Sequence, residues 1–189
     1  NRPSQEGLFR HYEEVALAGQ GVPVVLYNVP GRTGVNLEPE TLFRLAELDE
    51  IVGVKEASGD LDQVMTLVRD RTEGLLVLSG DDATALAIIA LGGDGLVSVA
   101  ANEAPARMKA LVSAALAGDT GEAHRVHYEL LSLMRVNFIE TNPVPVKTAL
   151  HLMGRMGPGV RSPLAPLSQA SLEALRRVLR ETGLLGTSP

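Results

Sequence analysis

Four short apolar runs recur along this chain, at residues 22–27, 51–54, 75–78 and 96–100, each rich in Val, Leu or Ile. Runs of that length and composition read as strands buried on both faces. Helical signals fill the intervals. Ser4 caps a helix through Ala18, residues 36–40 introduce one through Leu48, Asp60 caps 61–69 and Asp82 caps 83–91. A further helix over 103–117 follows the fourth run, with Pro105 tolerated in its first turn. The runs recur every ~20–30 residues, the size of a βα unit, so consecutive strands are expected to be parallel with right-handed crossovers.

Beyond Gly118 the pattern becomes helix alone. Segments 120–138, 143–153 and 168–182 carry apolar residues at helical spacing, separated by Pro- and Gly-rich joints such as 154–166. The expected organisation is therefore a βα region over 1–117 and a helical region over 118–189. Four parallel strands fit either a small doubly wound sheet or half of a (β/α)8 barrel, and periodicity does not choose between them. The placement of reactive residues favours the barrel. Tyr27, Lys55, Gly80 and the segment 97–102 all fall at or near the carboxyl ends of successive strands, where a barrel gathers its active site. The barrel reading requires four more strands, expected upstream of Asn1.

Charge narrows the partners. With 23 Asp and Glu against 17 Lys and Arg, the chain is acidic, which argues against nucleic acid. Its local basic cluster, Arg176, Arg177 and Arg180, has the spacing of a solvated helix face. No apolar stretch approaches the ~20 residues that span a bilayer, so no membrane partner is expected. The absence of Cys removes disulfides and thiol ligands. The expected location is the cytoplasm.

Lys55 carries the chemistry. It follows the apolar run Ile51-Val52-Gly53-Val54 and precedes Glu56. Removing a lysine amine from water disfavours the ammonium and favours the neutral amine, a nucleophile that meets carbonyl substrates in Schiff-base enzymes. The plainer alternative is a strand-end lysine that reaches solvent or pairs with Glu56. Other residues can be read more cheaply than as ligands. Asp81 and Asp82 fit helix capping better than a metal pair. His124 and His127 lie about one turn apart without a third ligand, as on a solvated face. Gly92, Gly93 and Gly95 lie between a helix and a strand, the wrong order for a dinucleotide fingerprint. Neither a metal nor a cofactor is expected. Gly80 is placed to let substrate or the lysine arm approach the backbone.

Five ordered motifs carry a family resemblance: YNVPGRTG at 27–34, GVKEASGD at 53–60, SGDD at 79–82, GLVSVAAN at 95–102 and NPVPVK at 142–147. Together they resemble the class I aldolase family of dihydrodipicolinate synthase and N-acetylneuraminate lyase, over essentially the whole chain. The opening NRPSQEGL is similar to the loop after that family's fourth barrel strand, so the resemblance implies the second half of a (β/α)8 barrel plus a C-terminal helical appendage. It implies that Lys55 forms the imine with pyruvate, that Tyr27 belongs to a proton relay, and that Arg32 binds the carboxylate of the second substrate through its planar fork. It also implies that Gly80 and the Val97 backbone lie near the pyruvyl group.

The details of PGRTG, SGDD and NPVPVK resemble the dihydrodipicolinate synthase branch, whose partners are pyruvate and aspartate-4-semialdehyde and whose members are commonly homotetramers. The alternatives are a pyruvate-dependent aldolase acting on a keto-acid sugar and a non-catalytic paralogue lacking the family's first half. Without that half, the chain by itself is expected to be inactive.

Overall fold

The structure, a computed structural model, describes residues 1–186. The chain separates into two compact units, Asn1–Val97 and Ser98–Pro189. This division places the helix at 105–116 in the second unit.

In the first unit, α1 (Gln5–Ala18) begins where Ser4 Oγ accepts the Gly7 N–H at 3.2 Å. Then come β1 (Val24–Asn28), α2 (Pro30–Thr33), α3 (Pro39–Leu45), β2 (Ile51–Glu56), α4 (Leu61–Asp70), β3 (Leu76–Ser79), α5 (Ala85–Ala90) and β4 (Gly95–Leu96). The sheet order is β1-β2-β3-β4 and every pair is parallel. A doubly wound sheet reverses its strand order at a switch point, and no reversal occurs among these strands. The order is that of a barrel arc.

Register divides the strand residues into two faces. Leu26, Val54 and Val77 are cross-strand neighbours, as are Asn28, Glu56 and Ser79 one step further. All six are buried. Leu26, Val54 and Val77 form a core with Leu42 and Leu45 of α3 and Leu67 of α4; burying a leucine contributes about 1.5–3 kcal/mol. The opposite face carries Val25, Tyr27 and Leu76, exposed by 42%, 36% and 41%. The expectation of burial on both faces is thus corrected: within this unit the helices cover one face only.

Several boundaries move for local reasons. The first strand begins at Val24 because Pro23 has no N–H to enter the ladder. The third helix stops at Leu45, short of Leu48. The fourth strand is two residues long, and 97–100 leave the ladder before a 3-10 turn at Ala100–Asn102. Asp82 does not cap the following helix: that helix starts after Thr84, the Asp81 carboxylate accepts the Thr84 N–H at 3.0 Å, and Asp82 is buried.

The second unit contains that turn, α6 (Pro105–Leu116), α7 (Thr120–Val136), α8 (Val144–Leu152) and α9 (Gln169–Glu181). Asp119 and Ser168 cap α7 and α9. α6 packs along α7, and α9 packs against α7 and α8, around Leu111, Leu130, Leu133, Leu175 and Leu179. Arg107 on α6 donates to Thr182 O at 2.8 Å, tying α6 to the end of α9. Arg176, Arg177 and Arg180 are exposed, as their spacing predicts. His127 departs from the solvated face expected of it. It is 8% exposed, while His124, one turn earlier, is exposed. No described helix is long and apolar enough to cross a membrane.

Candidate functional site

Tyr27 and Lys55 are directly paired across β1 and β2, so parallel register places both side chains on the less covered face of the sheet. Lys55 Nζ stands 4.1 Å from the centroid of the Tyr27 ring. A cation over the face of a phenol ring is attracted by the ring quadrupole. Lys55 is half-buried, and it does not pair with its neighbour Glu56, which alternation sends through the opposite face.

Gly80 follows β3 and lies close to the stem of that lysine. A Cβ built on Gly80 would stand 2.8 Å from Ala57 Cβ and 3.1 Å from both Glu56 O and Lys55 Cγ. The glycine leaves room that any side chain would take from the lysine arm. Its N–H donates to Glu56 O at 2.7 Å, fixing the close approach. Val97 is joined to the same strand end, where its N–H donates to Ser79 O at 2.9 Å. Its side chain is 41% exposed.

Arg32 sits apart from this group. It lies on α2, a single turn begun by Pro30 and ended by Gly34, whose φ of 73° favours glycine. Thr33 Oγ1 donates to Val35 O at 2.8 Å and holds the turn. The Arg32 side chain is exposed, and among the described residues no hydrogen bond or ion pair joins it to Tyr27 or Lys55. A cavity of about 310 Å3 lies at Tyr27, walled also by Arg2, His11, Tyr12, Thr33 and Val35.

Sequence reasoning missed the polar cluster on the other side of these strand ends. Asn28 Nδ2 donates to Glu56 Oε2 at 2.9 Å and to Asn36 Oδ1 at 2.8 Å. Gln63 Nε2 also donates to Glu56 Oε2, at 3.2 Å, and Asn36 Nδ2 donates to Gln63 Oε1 at 2.7 Å. The Ser58 N–H reaches Glu56 Oε1 at 2.6 Å, and the Leu37 N–H reaches Asn28 Oδ1 at 3.0 Å. The signal available beforehand was alternation. Asn28 and Glu56 are one step out of phase with Tyr27 and Lys55, hence on the buried face, where polar groups need partners.

A second cavity, of about 200 Å3, opens beside this cluster, with Ser58, Asp60, Asp81 and Thr84 in its walls. Its carboxylates serve backbone N–H groups: Asp60 accepts from Asp62 and Gln63, and Asp81 from Thr84. Among the described residues no group of three or more His, Asp or Glu side chains is placed to hold a metal ion. The arrangement on the lysine side offers an amine, a phenol and unhindered backbone. These are the elements of nucleophilic and acid–base chemistry on a small carbonyl compound.

Known proteins resemble this chain over nearly its whole length. Residues 1–182 match the model of the dihydrodipicolinate synthetase family. A 4-hydroxy-tetrahydrodipicolinate synthase of Thermodesulfovibrio yellowstonii is 51% identical over 185 residues, covering 98% of this chain and 63% of that protein. The crystal structure of dihydrodipicolinate synthase from Aquifex aeolicus superposes with a TM-score of 0.95 at 41% identity, over 100% of this chain and 64% of that one. A chloride-inhibited dihydrodipicolinate synthase from Acinetobacter baumannii, crystallised with pyruvate, matches with a TM-score of 0.93 at 44% identity, over 98% of this chain and 63% of that one. The chain therefore spans about 63% of the length of the curated relative it matches.

Proposed function

The chain belongs to the dihydrodipicolinate synthetase family, and from that premise we propose that it carries the Schiff-base half of a synthase condensing pyruvate with aspartate-4-semialdehyde. The observation that carries this reading is the pairing of Lys55 with Tyr27 at the carboxyl ends of adjacent parallel strands. In this reading the Lys55 amine attacks C2 of pyruvate, and the Tyr27 hydroxyl passes protons to and from the carbinolamine as water leaves. The imine loses a methyl proton to become an enamine, whose carbon attacks the aldehyde. The substrate's own amine then attacks the re-formed imine carbon, closing a heterocycle and expelling the Lys55 amine.

The other residues take supporting roles. Arg32 holds the carboxylate of the aldehyde substrate, for which an exposed guanidinium on a tight turn is suited. Gly80 and the Val97 backbone lie along the pyruvyl group. Residues 1–117 act as the C-terminal half of a (β/α)8 barrel and 118–189 as its helical appendage. The working protein is a cytoplasmic homotetramer in this reading. Its chemistry requires neither cofactor nor metal, since the lysine itself acts as the electron sink.

Reductive trapping tests it. Incubation with pyruvate and cyanoborohydride should add a carboxyethyl group to Lys55 well ahead of Lys109 and Lys147, the other two lysines. Peptide mass spectrometry locates the label. Equal labelling of all three lysines sinks the reading. Lys55→Arg should abolish the fast site, because a guanidinium stays protonated.

A further inference from the structure

Behind the Tyr27–Lys55 pair, on the opposite face of the same two strands and one residue further along, Asn28 and Glu56 are bonded side chain to side chain. We propose that Glu56 and Asn28 are positioning residues that fix the Tyr27 hydroxyl against the Lys55 amine. The proposal rests on the imine reading of Lys55.

No hydrogen bond joins the Tyr27 and Lys55 side chains among the described residues, so their spacing depends on how firmly the two strand ends are held. Tyr27 and Lys55 are the next-to-last pair of the β1–β2 ladder, and Asn28 and Glu56 are the last, where strands ordinarily fray. The Asn28–Glu56 bond clamps them from behind, and the Ala57 N–H adds a bond to Asn28 O at 2.9 Å. Glu56 O also accepts the Gly80 N–H. One residue thereby ties Asn28, Ser58, Gln63 and Gly80 around the base of the lysine.

The polarity of the cluster is set at its ends by backbone. The Leu37 N–H requires an oxygen from Asn28, which turns the Asn28 amide nitrogen towards Glu56. The Ser58 N–H requires an oxygen from the other side of Glu56. Between two fixed donors, position 56 must accept at both of its terminal atoms. A carboxylate does so, and an amide does not. Glu56 is 1% exposed and Asn28 2% exposed. For stability alone a well-packed apolar pair often serves as well as buried polar groups, so what this cluster adds is geometric definition.

The test is a double-mutant cycle on Lys55 labelling by pyruvate and cyanoborohydride, with Lys109 and Lys147 as internal references and a thermal melt to confirm folding. Glu56→Gln should slow labelling of Lys55 by about tenfold in the Tyr27 background, since a small misplacement of reacting groups is costly, but by less than about twofold beside Tyr27→Phe, where no hydroxyl remains to be placed. The same slowing in both backgrounds would mean a merely structural role and overturns the proposal. Should Glu56→Gln fail to fold, Asn28→Ala carried through the same cycle has the same two outcomes. If Lys55 of the unsubstituted chain labels no faster than the reference lysines, the imine reading itself falls and takes this inference with it. That result is visible before any variant is made.

Discussion

Lys55 Nζ lies 4.1 Å above the ring of Tyr27, and the two residues are cross-strand partners in a parallel ladder. The ladder gives them a common face and a common height. A hydroxyl and an amine held in that relation can exchange protons with one small molecule bound between them, which neither residue could do from an unpaired strand.

Tyr27→Phe separates the ring from its hydroxyl. The ring stays beneath Lys55, so the melting temperature should change little, while the rate of imine formation should fall by about 10²-fold or more. Site-resolved labelling of Lys55 measures this. An unchanged rate removes Tyr27 from the relay.

Gly80→Ala places a methyl 2.8 Å from Ala57 Cβ and 3.1 Å from Lys55 Cγ. Relief requires a shift of strand backbone or of the lysine arm, and overpacking of this kind costs about 1–3 kcal/mol. Denaturant titration should show that loss, and Lys55 should label more slowly. Full stability with unaltered labelling would show that the close approach is immaterial.

Arg32→Ala should leave pyruvate labelling of Lys55 intact, because no described contact links Arg32 to that lysine. Its effect should fall on the second substrate. Losing a charge-assisted hydrogen bond costs about 1.5–3 kcal/mol, or roughly ten- to a hundredfold in KM for the semialdehyde. Steady-state kinetics on a chain long enough to turn over tests it, and an unchanged KM takes Arg32 out of the site.

Stability should depend on pH through His127. Burial holds its pKa below the ordinary value of 6.5, and the positive charge of His124 and Arg135 lowers it further. The unfolded chain therefore takes up its proton first as pH falls. Stability is unaffected above the ordinary value, declines as pH drops from there towards the folded value, and stays reduced below it. His127→Leu should flatten the decline in melting temperature that sets in as pH falls through the ordinary histidine value of 6.5. The Nδ1 atom has no hydrogen-bond partner among the described residues, so its removal strands no donor or acceptor. An identical pH profile in the variant would assign the decline to other groups.

The chain by itself should associate and fail to turn over. Val25, Leu76 and Val97 are each more than two-fifths exposed, and β1 and β4 each have one unpaired edge among the described strands. Open edges and exposed apolar faces promote self-pairing. Light scattering should show species larger than 20.0 kDa, and a coupled condensation assay should show no product. Monomeric, fully active material of 189 residues would refute this.

The sequence carried the order of elements and singled out Lys55, Tyr27 and Arg32 as candidates. Short Val-, Leu- and Ile-rich runs are strands because β-branched and bulky side chains suit a pleated surface, and Ser4 and Asp60 mark helix starts because each accepts a backbone N–H nearby. Lys55 stood out because an amine at the end of such a run is unusual in any context. Which neighbours meet across the sheet was not contained in those local patterns. The register that sets Tyr27 against Lys55 depends on how β1 and β2 slide past one another, and the exposure of Val25 and Leu76 depends on which face the helices cover. Asp82 is buried and His127 is withdrawn from solvent for the same reason: burial is a property of what packs against a residue. Local propensity acts through bonds within a few residues of chain, whereas the Asn28–Glu56 clamp and the space at Gly80 join residues more than twenty positions apart. Only the folded chain brings those atoms within hydrogen-bonding and van der Waals range, and only there is their chemistry decided.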